Sequence, residues 1–223
     1  MPAMHIDMFK FIKKVAEVYK PDKVINLGDE VDHHNLSFHE TELECPYTAS
    51  QEFEEAQRYF SNFYDMFESM DIMESNHGSM VFRKSNACKL PRKFLKNYNE
   101  VLEAPKTYKW HKNLIVETPR GLVNFSHGNY APKNAMKKSQ LRSMSQVQGH
   151  YHNDFNIEYW QNDLGQVYFG MTCGCLIDDE KYAFLYNKTY IPRPLLGCGI
   201  IYEGIPELIP MRLDENKRWD GKI

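Results

Sequence analysis

From Met8 to Tyr19 the apolar side chains recur at helical spacing, with Met8, Phe11, Ile12, Val15, Val18 and Tyr19 on one stripe. Asp7 stands where an N-cap is expected, and Pro21-Asp22 closes the helix. An apolar run, Val24-Ile25-Asn26-Leu27, follows and stops at Gly28-Asp29. The pattern therefore predicts a helix feeding a short strand with an acid at its carboxyl end, which is where open α/β sheets carry their sites.

The stretch ASQEFEEAQRYFSNFYDMFESM reads as one amphipathic helix capped by Ser50, with Phe53, Ala56, Phe60, Phe63 and Phe67 on its buried side. Between it and Asp32 lies a polar loop holding His33, His34 and His39. DIME is a short strand leading into Ser75-Asn76-His77-Gly78, and PRKFLKNYNEVL is expected to be helical. NLIVETPRGLVNFSHG predicts a hairpin turning at Pro119-Arg120-Gly121, its second strand ending at Ser126-His127-Gly128. A helix near Ala135 to Ser143 precedes the strand that reaches Gly149-His150-Tyr151-His152, and the remainder alternates as sheet: FNIEYW, QVYFGM, GCGIIYE, PELIPMRL.

Composition narrows the classes. A chain of 223 residues suits one sizeable domain, 1–223, and a net charge of −3 argues against a general nucleic-acid or membrane-surface binder. Five cysteines, an odd number with no C-x-x-C pair, point to reduced thiols and a cytoplasmic setting; Cys173 and Cys175 are expected in core or loop. No stretch approaches the roughly 18 apolar residues of a membrane span, and MPAMHIDMFK lacks the features of a signal peptide.

Polar or ionisable clusters therefore stand at four strand ends: Gly28-Asp29, Asn76-His77, His127-Gly128 and Gly149-His150-x-His152. Each alone has a plain structural reading. Asp29 serves as a cap or turn, Asn76 as a turn residue and His127 as a buried histidine. The H-x-H pair puts two imidazoles on one face of an extended chain, a common way to aim neutral nitrogen ligands at one point.

In order along the chain, Gly28-Asp29-x-Val31-Asp32, Asn76-His77, His127-Gly128 and Gly149-His150-x-His152 resemble the later signature motifs of the calcineurin-like metallophosphoesterases. Ser75 replaces the glycine usual before the Asn-His pair. The LGDEVDHH and SNHGS versions look most like compact bacteriophage and bacterial members, which would place the chain in a host cytoplasm if it is of phage origin. The resemblance implies an α/β fold of two mixed sheets packed face to face with flanking helices. It implies two divalent metal ions, with manganese favoured and iron or zinc as alternatives. Asp29 would bridge them, Asn76, His127 and His150 would complete one site, and His152 would serve the other. His77 would act as general acid and Asp32 would orient it. His33 stands where the serine/threonine phosphatases carry a phosphate-binding arginine, so a substrate contact is implied there; the alternative is a loop residue.

The implied reaction is hydrolysis of a phosphomonoester or phosphodiester, of nucleotide or nucleic-acid type, by a metal-bound hydroxide. Lys133, Lys137, Lys138 and Arg142 are candidates for holding an anionic polymer or, equally, a solvated helix face. Arg83-Lys84 reads as solvated, and so do His34 and His39. The oligomeric state is left open. The family's first motif, an Asp-x-His, is missing, so the expected domain lacks its first strand and the chain is expected to start one strand late. His5 and Asp7 are conceivable substitutes, although Asp7 already has a use as helix cap. The missing motif also keeps open a non-catalytic binding protein on the same scaffold with an incomplete metal site.

Overall fold

The structure, a computed structural model, describes residues 4–36, 48–178 and 193–223, and only the backbone of His34; His39 lies outside the described residues. Helix α1 (Met8–Tyr19) forms where the periodicity expects it and buries Met8, Phe11 and Val15. Its cap differs from expectation. The Asp7 carboxylate bonds no helix N–H. It accepts instead from Arg218 Nε and Nη2, each at 2.6 Å, and from the Trp219 N–H at 3.2 Å. A bidentate charge-assisted pair, reached across the whole chain, outcompetes a local cap for the same oxygens.

The long aromatic helix is two helices, α2 (Ala49–Phe60) and α3 (Asn62–Met66), broken at Ser61. Thr48 caps α2 rather than Ser50. The reciprocal box needs a Gln or Glu three residues on, and Thr48 finds Gln51 whereas Ser50 would meet Phe53. After β2 (Met70–Met73) comes α4 (Met80–Ala87). The expected helix over PRKFLKNYNEVL shrinks to a 3₁₀ turn at Arg92–Phe94 and α5 (Tyr98–Leu102), because Asn97 and Glu100 form their own capping box in mid-segment.

Strands β1 (Ile25–Asn26), β2 and β3 (Tyr108–His111) form a wholly parallel sheet in that order. A second, mixed sheet contains β4 (Leu114–Thr118), β5 (Gly121–Ser126), β6 (Ser145–Gln148), β7 (Phe155–Gln161) and β8 (Val167–Cys173), ordered β4-β5-β6-β8-β7. The hairpin at Pro119-Arg120-Gly121 has the expected register, Thr118 opposite Gly121. The last two strands, β9 (Gly197–Tyr202) and β10 (Ile205–Pro210), pair only with each other.

The sheets pack face to face, and the period-two alternation shows how. Val123 and Phe125 of β5, Val147 of β6, and Phe169 and Met171 of β8 meet Ile25, Leu27 and Met73 of the first layer and Ile201 and Leu208 of the hairpin. On the other side of the first sheet, Ile72 packs under α2 and α3, and the buried Tyr108 hydroxyl donates to the carbonyls of Phe63 and Phe67 at 2.8 and 2.9 Å. Helix α1 also covers the hairpin, Phe11 and Val15 meeting Ile209 and Met211.

The outer face of the second sheet is a buried polar layer under α6 (Ala135–Arg142). Asn124 Nδ2 donates to Gln146 Oε1 at 2.7 Å, and Lys138 Nζ donates to Gln148 Oε1 and the Gly128 carbonyl, each at 2.7 Å. Lys138 therefore belongs neither to a solvated face nor to an anion-binding one. Burial, helped by Arg142, pushes its ammonium pKa down to about 8.

Candidate metal centre

Parallel strands in register end along one edge, which is how distant motifs meet. Ser126 of β5 lies opposite Gln148 of β6, and the Gly149 N–H continues the ladder to the His127 carbonyl at 3.0 Å. His127 and His150 thus leave adjacent strands side by side, their rings edge to face with centroids 4.9 Å apart. In the first sheet, β1 and β2 likewise release Asp29 and Asn76 next to each other. The approach is close at Gly28. A Cβ there would lie 2.7 Å from the Met73 carbonyl oxygen and 2.9 Å from His127 Nδ1, and its φ of +101° is one that side chains resist.

Three site residues, Asp29, His33 and His150, hold positive φ angles of 61°, 52° and 67°. Such left-handed backbone in a non-glycine residue is sparsely populated and gathers at functional sites.

The donor atoms converge. His127 Nδ1 sits 2.6 Å from the Leu27 carbonyl oxygen, which can only accept, so the proton is on Nδ1 and the Nε2 lone pair faces the site. That Nε2 lies 2.9 Å from Asn76 Oδ1, 3.1 Å from His150 Nδ1 and 3.5 Å from Asp29 Oδ1. The second carboxylate oxygen, Asp29 Oδ2, is 3.8 Å from His152 Nε2. Ligand atoms of Asp29, His127 and His150 all fall within 4.8 Å of one another. Asp29 Oδ1 is buried without a hydrogen-bond donor among the described residues. A buried carboxylate oxygen without a donor, turned toward imidazole lone pairs and an amide oxygen, fits a divalent cation and fits little else.

Electrostatics match that chemistry. Burial would raise the Asp29 pKa, but the imidazoles of His127, His152 and His77 outweigh it and hold the carboxyl well below the usual range. Burial, then His127, pushes His150 down to about 4, leaving it neutral and able to ligate at pH 7. His77 goes the other way. Burial disfavours its charge, but the Asp32 hydrogen bond and the charges of Asp29 and Asp32 carry it up to about 9.

His77 Nδ1 is 3.0 Å from Asp32 Oδ1 and 2.6 Å from the Asp32 carbonyl oxygen, so the expected pair is formed. His33 is only 9% exposed and its ring lies parallel to Phe53 at 6.3 Å, which leaves it little surface for a substrate. His5 and Asp7 are engaged elsewhere. His5 Nδ1 accepts from the Asp7 N–H and its Nε2 faces the Lys217 carbonyl, while Asp7 holds Arg218.

Three residues stand at the site's margin, of which the sequence reading passed over only Glu30. Arg83, exposed as expected, also donates from Nη2 to the Asn76 carbonyl at 2.8 Å, joining α4 to a candidate ligand. Ser75 Oγ accepts from the Gly78 N–H at 2.8 Å, tying the turn that carries Asn76 and His77. Glu30 is buried with Oε1 accepting from Trp110 Nε1 at 2.9 Å, and burial raises its pKa to about 7. Position beside Asp29 was the only sequence signal for Glu30.

The described residues thus form a carboxylate and imidazole cluster able to hold a metal ion, at the strand ends of a layered α/β fold. No protein-family model matches the chain, and no curated protein matches it in sequence. Among solved structures it is similar to an archaeal phosphodiesterase, with 14% identity over 88% of this chain and 87% of that one and a TM-score of 0.45. It is also similar to vacuolar protein sorting 29 from Cryptosporidium parvum, with 12% identity over 69% of this chain and 74% of that one and a TM-score of 0.33. Both similarities are too distant to assign an activity. No helix among the described residues is long and apolar enough to cross a membrane.

Proposed function

We propose that the protein is a metal-dependent phosphoesterase of the calcineurin-like type, hydrolysing a phosphomonoester or phosphodiester of nucleotide or nucleic-acid kind. The observation that carries this reading is the division of Asp29: one oxygen faces His127 and the other His152, with the His77–Asp32 pair beside them. In this reading Asp29 would be shared between two divalent cations, manganese favoured, with Asn76, His127 and His150 holding one and His152 contributing to the other. Such cations would supply charge neutralisation for the phosphoryl group and a hydroxide at neutral pH.

The chain's own residues do the remainder. The Leu27 carbonyl holds His127 in the tautomer that ligates. Asp32 keeps the His77 imidazolium aimed, and His77 gives its proton to the leaving alkoxide oxygen as the ester bond breaks. His33, buried against Phe53 with its pKa lowered chiefly by that burial, is not assigned a substrate contact in this reading.

The test is metal content per chain after loading with manganese and desalting, together with hydrolysis of bis-p-nitrophenyl phosphate and p-nitrophenyl phosphate. About two ions per chain and metal-dependent turnover support the reading. One ion or none, with no turnover on either ester, would move the assignment to a binding protein on the same scaffold.

A further inference from the structure

The net charge of −3 conceals an uneven distribution. Between Glu74 and Glu100 there is no acidic residue, whereas Arg83, Lys84, Lys89, Arg92, Lys93 and Lys96 all fall there. A solvated face normally mixes the two signs, because like charges held together repel one another. Six of the chain's 27 cations without one of its 30 acids is a segregation that favours a polyanion.

The fold makes these residues one surface. Helix α4 carries Arg83 and Lys84, and the Leu90 N–H returns to the Ser85 carbonyl at 2.9 Å, which keeps Lys89 against the end of that helix. The 3₁₀ turn at Arg92–Phe94 is held to α4 by Arg92, whose guanidinium carbon lies 4.0 Å from the centre of the Phe82 ring. Phe82 in turn meets Tyr98 edge to face at 5.0 Å, and Tyr98 stacks on Trp110 of β3 at 5.4 Å. The cations are therefore anchored to the first sheet through an aromatic chain. Arg83, Lys89, Arg92, Lys93 and Lys96 are all exposed.

Two observations point to the kind of polyanion. Phe94 is 67% exposed, and the Lys93 ammonium lies 5.5 Å from its ring centre. A ring left in water among cations adds little to the core, but it matches the face of an unpaired base whose backbone phosphates meet those cations. The second observation is position. Arg83 donates to the Asn76 carbonyl at 2.8 Å, so the surface begins at the candidate metal centre.

We propose that the surface from Arg83 to Lys96 binds single-stranded nucleic acid, with Phe94 stacked on a base, and delivers a backbone phosphodiester to the metal centre. The delivery rests on the phosphoesterase reading; the binding does not. A duplex fits less well, because its base faces are already stacked on one another and leave Phe94 without a partner.

The test uses the full chain in EDTA, so that binding is read without metal, and a fluorescein-labelled oligothymidylate of about twelve nucleotides. Saturable binding by anisotropy is expected, with a slope of log affinity against log salt of about −2 to −3, the release from roughly three or four phosphate contacts. Lys89→Glu combined with Lys93→Glu should weaken binding about tenfold or more. Phe94→Ala should weaken it about fivefold or more. Lys13→Glu combined with Lys14→Glu makes the same charge change at exposed positions of α1 and should cost less than about twofold, since salt screens distant charges. Melting curves that match the parent show that a loss of binding is not a loss of fold. No saturable binding, equal weakening by the two lysine pairs, an unchanged Kd for Phe94→Ala, tighter binding of the corresponding duplex, or equal competition by poly-glutamate or phosphatidylserine vesicles would each overturn the proposal. Binding of the strand by a chain that neither loads manganese nor turns over an ester would support the surface and overturn the delivery.

Discussion

His77 Nδ1 lies 3.0 Å from Asp32 Oδ1, a pair formed across 45 residues of chain at the margin of the donor cluster. If His77 protonates the leaving oxygen, its loss should matter most for esters that leave poorly. His77→Asn is expected to lower kcat by about 100-fold on an alkyl phosphodiester, the usual scale of general acid catalysis. On p-nitrophenyl esters, whose leaving group needs little protonation, the loss should be much smaller. Asp32→Asn should follow the same pattern with a smaller deficit. Equal deficits on both ester types would remove His77 from the acid role.

Asp29 presents one oxygen to His127 and the other to His152. Asp29→Asn keeps the shape and removes the charge. The parent should gain stability on manganese addition, about 2.7 kcal/mol at a hundredfold excess over Kd. The variant should show little or no such gain in a thermal melt, and its metal content after desalting should fall below one ion per chain. An unchanged melt response would separate Asp29 from metal binding.

Gly170 of β8 lies under α6 so closely that an added Cβ would stand 2.2 Å from the Met136 amide nitrogen. That neighbour is backbone and cannot rotate away. Gly170→Ala should destabilise by about 1–3 kcal/mol through forced separation of helix and sheet. For a chain of this length each kcal/mol lowers Tm by about 2–4 °C, which calorimetry will read.

The Arg218 guanidinium, with further help from Lys10 and the Trp219 N–H, holds the Asp7 carboxyl well below its ordinary value of 3.8 despite burial. A carboxyl lowered in the folded state contributes stability that is complete above the unfolded pKa and is lost as pH falls. Asp7→Asn should therefore melt lower than the parent at pH 7, and the two should converge as pH drops from about 5 to 2. Melting curves across that range give the difference directly, and a gap independent of pH would mean that the Asp7 charge is not the cause.

Much of the fold was legible because it is written locally. The helix from Met8 to Tyr19, the turn at Pro119-Arg120-Gly121 and the last hairpin survive in the structure, although Val18 of the predicted stripe is exposed. So does the order of the four motifs, since a strand that ends in a polar cluster does so wherever it is placed. What failed were choices with a distant competitor or a nearby better one. Asp7 was a reasonable cap until Arg218, 211 residues away, took both oxygens. Ser50 was a reasonable cap until Thr48 and Gln51 offered a reciprocal one.

The sequence by itself determined which groups were available, an acid, an amide and four imidazoles at strand ends, and in what order they came. Only the tertiary structure decided that they meet, because parallel register aligns β5 with β6 and β1 with β2, and sheet packing brings those two edges together. It also decided the tautomer of His127, through a carbonyl 100 residues away. The same packing buried Lys138 among carbonyl and amide oxygens. Neither result has a local signature, since each depends on which groups face each other once the layers close.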